Sequence, residues 1–250
     1  MKQYGLIGKT LSHSFSKQYF DCYFKDKTCY SYDLYELDTI DQLPYLIQSR
    51  QPLGFNVTIP YKQAIIPYLD EITPEAKAIG AVNVVGIDYE SVCDRPILKG
   101  YNTDVYGFEI SLIPHLKPHH TSAIILGTGG ASRAVAFVLD KLGVDYVFVS
   151  RGKTGDRIIN YTNLLPEIIS LHTLIINTTP VGMYPNVEDC PFIYFEGITS
   201  QHLCYDLVYN PTKTIFLKEA ETRGATAING MDMLINQAMK SWEIWGIDMS

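Results

Sequence analysis

The chain has 250 residues, of which 46% are hydrophobic and 19% are charged, and its formal net charge is −7. This length allows one large domain or two of modest size, and the acidic balance argues against nucleic acid as the main partner. The five cysteines form no C-x-x-C pair and no apolar run is long enough to span a membrane. We therefore expect a cytoplasmic protein with buried free thiols, without a disulfide framework, a zinc site or a membrane partner.

Short apolar runs alternate with helical patterns along the chain, which predicts an α/β fold with parallel strands. The pattern changes near residue 105, and the final segment is one amphipathic helix that could pack back on the N-terminal part. We expect two domains, residues 1–104 plus 230–250 and residues 105–229, with the ligand site between them. The predicted strands are Tyr4–Gly8, Tyr30–Glu36, Gly54–Ile59, Gly80–Gly86, Ile97–Tyr101, Ser122–Leu126, Asp145–Ser150, Leu174–Asn177, Leu203–Leu207 and Ala225–Ile228.

The segment N-V-T-I-P-Y-K, which ends at Lys62, combines a short strand with polar side chains. Alternate strand residues face opposite ways, so Val57 and Ile59 are expected in a core while Thr58 faces out of it. Pro60 stops the ladder of strand hydrogen bonds. The segment thus predicts a hydroxyl and an amine held beside a strand end, where open α/β sheets bind ligands.

A second segment, G-Y-N-T-D, offers the carboxylate of Asp104 on a turn that starts with glycine. Hydride transfer from a secondary alcohol to a nicotinamide needs a group that takes the hydroxyl proton. Lys62 is our candidate for that group, and Asp104 is the candidate that orients the amine and the substrate hydroxyl. No metal is needed, and we expect the pair His119-His120 to lie exposed on a linker rather than to bind one.

A third segment, G-T-G-G-A, follows a predicted strand and opens a helix, the context in which glycines let a pyrophosphate approach the backbone. Ser132 stands where a third glycine is usual, and a plain glycine turn is the alternative interpretation. The next strand ends in Ser150 and Arg151 without the acidic residue that favours NAD. Because a guanidinium matches a phosphate, Arg151 favours NADP, with a solvated loop charge as the alternative.

Three serines, Ser12, Ser14 and Ser16, lie at the predicted turn between the first strand and its helix. Capping of the helix needs one hydroxyl only. The remaining hydroxyls are therefore available to an anionic, polyhydroxylated ligand.

These segments, in this order, resemble the shikimate dehydrogenase family, whose members reduce 3-dehydroshikimate with NADPH. The likeness covers most of the chain and implies an N-terminal α/β substrate domain, a Rossmann-like parallel-sheet cofactor domain and a C-terminal helix that returns to the first domain. It implies NADP as the cofactor, shikimate or 3-dehydroshikimate as the small-molecule partner, and we expect a monomer or a homodimer.

The resemblance also implies roles for individual residues. It makes Lys62 and Asp104 the catalytic pair. The implied substrate contacts are Ser14, Ser16, Thr58, Asn83, Tyr205 and Gln237. The implied cofactor contacts are Gly127, Gly129, Gly130, Ala131, Ser150, Arg151, Thr179, Gly182, Met183 and Gly230.

The chain departs from the family pattern in three segments. Lys17 replaces a proline, Val84 replaces a threonine, and Ser-Arg-Gly at 150–152 replaces the usual N-R-T. The missing threonine removes one hydroxyl from the expected clamp on the 2′-phosphate of NADP. The alternative functions are a quinate/shikimate dehydrogenase that accepts NAD and a non-catalytic module that binds shikimate or a nucleotide.

Overall fold

The structure is a computed structural model that describes residues 1–11, 15–25, 29–90 and 95–247. The chain divides into two compact units. Unit 1 contains Met1–Thr103 and Ala238–Ser250, and unit 2 contains Asp104–Gln237. Compared with the expected domain limits, unit 2 also takes in Asp104 and the segment from 230 to Gln237.

Unit 1 contains a mixed six-stranded sheet among its described residues. The strand order is β2-β1-β3-β5-β6-β4, and β5 runs antiparallel to both of its neighbours. The remaining pairs are parallel, so β5 is the strand that departs from the parallel pairing expected for alternating strands and helices. The elements are β1 (Lys2–Gly8), α1 (Phe15–Phe24), β2 (Tyr30–Glu36), α2 (Leu43–Arg50), β3 (Gly54–Val57), α3 (Tyr61–Ala64), β4 (Glu71–Ile72), α4 (Pro74–Ile79), β5 (Val84–Asp88) and β6 (Ile97–Tyr101).

Unit 2 contains a fully parallel six-stranded sheet in the order β12-β11-β10-β7-β8-β9. The strand order reverses between β7 and β10, which is the Rossmann-like arrangement that the sequence predicts. The elements are α5 (Asp104–Leu112), β7 (Ser122–Leu126), α6 (Gly130–Leu142), β8 (Asp145–Ser150), β9 (Ile158–Asn160), α7 (Pro166–Leu171), β10 (Leu174–Asn177), β11 (Leu203–Asp206), α8 (Ile215–Thr222), β12 (Thr226–Ile228) and α9 (Met231–Ile244).

The central strands of unit 2 read as continuous apolar runs because helices cover parallel sheets on both faces. Strand β7 contributes four apolar side chains with no exposed surface, and β10 contributes three apolar side chains and Asn177. The carboxyl ends of these strands lie side by side, since Leu126 pairs with Val149 of β8 and with Asn177 of β10. The loops that follow them therefore share one edge of the sheet.

The C-terminal part of α9 packs within unit 1, which confirms the expected return of the last helix. Trp242 is 2% exposed and meets Phe20 edge-on at a ring distance of 5.2 Å. Phe20 in turn stacks on Tyr32 of β2 at 3.9 Å. The indole N–H of Trp245 donates to the carbonyl of Val85 at 3.0 Å. These contacts bind residues from the two ends of the chain into one core.

Some expected core positions are exposed. Strand β3 ends at Val57, and Ile59 beyond it is 76% exposed rather than buried. Among the cysteines that the structure describes, Cys204 is buried, whereas Cys22 and Cys29 are exposed. The expectation of uniformly buried thiols is therefore wrong. Across residues 1–11, 15–25, 29–90 and 95–247, the structure has no helix with the length and apolar character needed to cross a membrane.

Candidate active site

In unit 1, Thr58 and Lys62 flank a tight turn at the carboxyl end of β3. The Thr58 N–H donates to the carbonyl of Ile7 at 2.9 Å, and the Thr58 carbonyl accepts the N–H of Tyr61 at 2.9 Å. The carbonyl of Lys62 accepts the N–H of Val82 at 2.7 Å. Both side chains are half-buried. The backbone thus holds the predicted hydroxyl and amine at one strand end.

Asn83 joins the ends of two strands in the same unit. Its carbonyl accepts the N–H of Val57 at 2.8 Å, and its own N–H donates to Tyr101 at 3.0 Å. Its side-chain oxygen accepts the N–H of Thr103 at 2.7 Å, and its amide donates to the Thr103 hydroxyl at 3.1 Å. The side chain is 3% exposed, so these bonds fix its orientation.

Asp104 follows Thr103 directly in the chain and begins α5 of unit 2, where its side chain is 4% exposed. A carboxylate at a helix N-terminus is favoured by the helix dipole. The sequence predicts Asp104 on a turn that starts with glycine, and the structure places it in the first turn of helix α5.

The two predicted serines fall at the edge of what the structure describes. Ser14 lies outside the described residues, and Ser16 belongs to α1 with a side chain outside the described part. Their assignment as substrate contacts stays a prediction.

The glycine loop between β7 and α6 has the form that an anion site requires. Gly127 has a φ of +106°, which only glycine adopts readily, and it turns the chain out of the strand. Helix α6 has no side-chain cap, because its N-cap residue Gly129 has no side chain, and the hydroxyl of Ser132 donates to the Gly129 carbonyl at 2.7 Å. A Cβ added at Gly129 or Gly130 would meet no atom within 4 Å. The uncapped N–H groups and the open space beside them fit the pyrophosphate of a dinucleotide.

The turn after β8 carries the predicted residues Ser150 and Arg151. The Ser150 hydroxyl oxygen accepts the N–H groups of Gly152 at 3.4 Å and of Lys153 at 3.0 Å. Arg151 is exposed and lies near Tyr161. Burial raises the pKa of Tyr161 above its ordinary value, and the guanidinium charge of Arg151 offsets part of that rise. The ammonium of Lys153, which we did not assign to the site, donates to the Thr128 carbonyl in the glycine loop at 3.1 Å.

The loop after β10 is held by a buried polar network. The side-chain oxygen of Asn177 accepts the N–H of Thr179 at 3.0 Å and its hydroxyl at 2.6 Å. The Asn177 amide donates to Asp206 at 2.9 Å, and Asp206 also accepts the Thr214 hydroxyl at 2.6 Å. Burial raises the pKa of Asp206 to about 6 although these donors lower it. Sequence reasoning missed Asp206, which supports the loop that carries Thr179.

The loop continues through Gly182 and Met183. Gly182 is buried with a φ of +89°, and the Met183 side chain is 42% exposed. The positive φ of Gly182 is a backbone conformation that favours glycine, which explains why glycine occupies this position. The exposed thioether is compatible with contact to a ligand ring.

Three further predicted residues lie in the packing of unit 2. Gly230 abuts the backbone of Leu207, and its N–H donates to Val208 at 3.2 Å. Gln237 lies on α9, whose backbone comes close to α5. Tyr205 has no exposed surface, and its hydroxyl bonds that of Ser111 at 2.7 Å. The structure thus gives Tyr205 a core environment that its strand position already allowed.

The histidine pair is organised by hydrogen bonds. His119 is exposed as expected, but His120 is 5% exposed, which differs from the expectation. His120 Nδ1 accepts the N–H of Lys117 at 3.0 Å, so the ring presents Nε2–H to the Gln201 carbonyl at 3.2 Å. Among the described residues, no group of three or more His, Cys, Asp or Glu side chains could hold a metal ion.

The chain is similar to known proteins along almost its whole length. A family profile described as "Shikimate dehydrogenase substrate binding domain" matches residues 6–85. Shikimate dehydrogenase (NADP(+)) of Clostridium beijerinckii is 40% identical over 256 residues, which cover 98% of this chain and 92% of that protein.

Solved structures agree with this relationship. Shikimate dehydrogenase 1 from Peptoclostridium difficile superposes with a TM-score of 0.82 at 36% identity, covering 98% of this chain and 92% of that one. The Thermus thermophilus enzyme in complex with NADP(H) and shikimate gives a TM-score of 0.83 at 30% identity, covering 98% and 93%. The chain belongs to the shikimate dehydrogenase family.

Proposed function

We propose that the chain catalyses the reversible, NADP-dependent oxidation of shikimate to 3-dehydroshikimate. The observation that carries the proposal is the 40% identity to an NADP(+)-dependent shikimate dehydrogenase over 98% of the chain, a coverage that includes both units. The hydrogen-bonded strand end around Lys62 and the uncapped glycine loop support it from the structure.

Lys62 and Asp104 form the proposed proton-transfer pair. When bound, the nicotinamide of NADP supplies the hydride acceptor. Lys62 takes the proton of the ring hydroxyl during oxidation and returns it during reduction. Asp104 orients the amine and the hydroxyl. The support is local, because the backbone fixes the turn that carries Lys62 and helix α5 fixes Asp104.

The proposed substrate contacts supply hydroxyl and amide groups to a polyhydroxylated acid. Thr58 and Asn83 stand at neighbouring strand ends of unit 1, where Thr103 holds the Asn83 amide in one orientation. Gln237 contributes a second amide from α9. Ser14 and Ser16 receive the substrate carboxylate in this proposal.

The proposed NADP site lies along the carboxyl edge of the parallel sheet of unit 2. The N–H groups at Gly129, Gly130 and Ala131 face the pyrophosphate, and Ser150 and Arg151 lie on the adenosine side. Thr179, Gly182, Met183 and Gly230 line the nicotinamide side. The open space at Gly129 and Gly130 is the structural feature that fits this group.

A cofactor and substrate panel tests the proposed function. Purified protein is assayed for NADPH oxidation with 3-dehydroshikimate, and for NADP+ and NAD+ reduction with shikimate and quinate. We expect turnover with shikimate and NADP+, and with 3-dehydroshikimate and NADPH. Turnover of quinate with NAD+ alone would replace the proposal by a quinate dehydrogenase. Binding of shikimate without turnover would replace it by a binding module.

The finer expectations on location and assembly belong to the same proposal. We propose a cytoplasmic enzyme that is a monomer or a homodimer. Cell fractionation and light scattering test these statements, and a membrane-bound pool or a larger assembly would contradict them.

A further inference from the structure

The turn after β8 folds back toward the glycine loop. Ser150 organises this turn, because its hydroxyl oxygen accepts the N–H groups of Gly152 and Lys153. The Lys153 side chain then extends to the carbonyl of Thr128 at 3.1 Å. An ammonium has three N–H donors, so one bond to Thr128 leaves two for another acceptor.

This ammonium lies where two neighbouring strands end. Strands β7 and β8 pair in parallel up to Leu126 and Val149, and the Lys153–Thr128 bond joins the loops that follow them. In a sheet of this order the pyrophosphate lies at the loop after the first strand, and the ribose of adenosine lies at the end of the second. Lys153 is therefore bound to the pyrophosphate loop and emerges from the ribose-side turn.

The charge around this turn suits an added phosphate group. Residues 150–157 include the cations Arg151, Lys153 and Arg157 and one acidic residue, Asp156. The side chains from Arg151 to Arg157 are exposed, so a ligand can reach Arg151 and Lys153. NADP differs from NAD by one phosphate on the 2′-oxygen of this ribose, so a second cation in contact with that phosphate strengthens binding of NADP and not of NAD.

Gly152 leaves space between the two cations. A Cβ added there would meet no atom within 4 Å, and its φ is not in the left-handed region. A side chain at 152 is therefore sterically allowed, and this chain has none. Where a polar side chain at 152 is absent, the neighbouring Lys153 supplies a polar group, its ammonium.

We propose that Lys153 is a specificity-determining residue that binds the 2′-phosphate of NADP together with Arg151, substituting for the hydroxyl that Gly152 lacks. The inference shares one premise with the proposed function, namely that NADP is the cofactor that this protein binds.

The first test replaces Lys153→Met, which keeps the aliphatic stem and the backbone N–H but removes the charge. Dissociation constants are measured by calorimetry for NADPH, NADH, 2′,5′-ADP and 5′-AMP. We expect binding of NADPH and 2′,5′-ADP to weaken by about tenfold to a hundredfold, the range for a hydrogen bond to a charged group. Binding of NADH and 5′-AMP should change by less than about twofold, since neither has the 2′-phosphate.

The control is Lys141→Met, an exposed lysine of α6 that pairs with Glu109 at 2.7 Å. It removes the same charge from unit 2, so it separates a local contact from a change in net charge. Equal weakening of NADPH and NADH by Lys153→Met would place the ammonium on the pyrophosphate and overturn the proposal. Unchanged NADPH binding would overturn it as well.

A second variant tests the substitution for the hydroxyl. Gly152→Thr, made in the Lys153→Met protein, should recover at least part of the lost affinity for 2′,5′-ADP and none for 5′-AMP. No recovery would refute the idea that the lysine takes the place of a side chain at 152. These binding measurements do not depend on turnover, so a protein that binds 2′,5′-ADP through Lys153 but does not oxidise shikimate would refute the proposed function and leave this inference standing.

Discussion

At the scale of single residues, the carboxyl group of Asp206 connects two loops of unit 2. It accepts hydrogen bonds from Asn177, from the Val208 N–H at 3.0 Å and from Thr214. Asn177 passes the connection on to Thr179 in the loop after β10. A buried carboxylate is costly unless it is hydrogen-bonded, so the three donors explain how the charge is tolerated.

The raised pKa of Asp206 makes a prediction for stability. Because the folded pKa of about 6 exceeds the ordinary value of 3.8, the folded state binds the proton more tightly between these values. The free energy of unfolding should therefore fall as pH rises from about 4 to 6, by up to about 3 kcal/mol for a shift of this size, and the group adds no further slope above that.

Asp206→Asn tests this dependence, because an amide does not titrate. Urea unfolding at pH 4.5 to 8 should show that the variant lacks the slope contributed by Asp206 below pH 6. Asp145→Asn, an exposed aspartate at the start of β8, serves as the control and should keep the slope. Parallel curves for wild type and Asp206→Asn would contradict the assignment.

Lys62 is the residue whose loss should affect chemistry most. Lys62→Met is expected to lower kcat by about a hundredfold or more and to leave KM within about tenfold, because it removes acid–base catalysis rather than the pocket. Lys77→Met, at an exposed position of α4, should leave both constants unchanged. A collapse of substrate affinity with turnover intact would show that Lys62 binds and does not catalyse.

In the proposed catalytic pair, Asp104→Asn should also lower kcat, because an amide replaces the carboxylate that orients the amine and the substrate hydroxyl. The measurement is the steady-state rate together with the thermal midpoint, which separates a loss of chemistry from a loss of folding. Wild-type rates in this variant would make Asp104 a structural residue only.

At the scale of elements, the strand–turn–helix unit around the glycine loop contains two glycines whose backbone conformations and surroundings differ. Gly127 has a positive φ, and an added Cβ would lie 2.9 Å from the Thr178 hydroxyl. Gly129 has a φ of −88° and open space beside it. The fold therefore requires the first glycine, whereas the second leaves open space in which we propose that the pyrophosphate binds.

Two alanine variants separate the roles of these two glycines. Gly127→Ala should lower the free energy of unfolding by about 1–3 kcal/mol, the cost of a strained backbone position. Gly129→Ala should leave the thermal midpoint of the apo protein unchanged within error and weaken NADPH binding, because its methyl group occupies the space of the pyrophosphate. Gly129→Ala with unchanged NADPH affinity would count against the loop as the dinucleotide site.

At the scale of the whole molecule, unit 1 is built from two distant parts of the chain, whereas unit 2 is continuous. The aromatic cluster of unit 1 includes Trp242 and Ile247, which come from the C-terminal segment. Loss of one large buried side chain costs about 3–5 kcal/mol, a large share of the stability of a typical domain.

Fragments should therefore behave differently. A fragment of residues 104–237 is expected to melt cooperatively by circular dichroism, and a fragment of residues 1–103 is expected to melt without cooperativity. Adding a peptide of residues 230–247 should restore a transition to the second fragment. A cooperative transition in residues 1–103 alone would show that the C-terminal segment is dispensable for its core.

Much of this architecture was predictable from the sequence, because buried strands bounded by turns have a clear pattern. The predicted bounds of Tyr30–Glu36, Ser122–Leu126, Asp145–Ser150 and Leu174–Asn177 agree with the structure. The short edge strands β4 and β9 were not predicted, since pairing with a neighbour stabilises them more than their own sequence does. The antiparallel direction of β5 was not predicted either, because it depends on pairing with β3 and β6 and not on the sequence of β5 alone.

The candidate site divides in a similar way. The segments containing Lys62 and the glycine loop were visible because neighbouring residues carry the pattern. The contributions of Lys153 and Asp206 depend on Thr128 and Asn177, which lie 25 and 29 positions away. Tyr205 shows the converse, because its burial and its bond to Ser111 depend on helix α5 and not on its own strand.

The solvent-facing turn from Arg151 to Arg157 has a consequence for how this enzyme can change. Arg157 lies over the ring of buried Tyr146 at 5.0 Å, but the exposed side chains from 151 to 156 lie outside the interior of unit 2, so replacements at those positions leave the scaffold intact. Single substitutions in this turn can therefore change the preference between the phosphorylated and unphosphorylated coenzyme without destabilising the fold. For an engineer, the same freedom makes this turn the place to randomise when coenzyme preference is to be reversed.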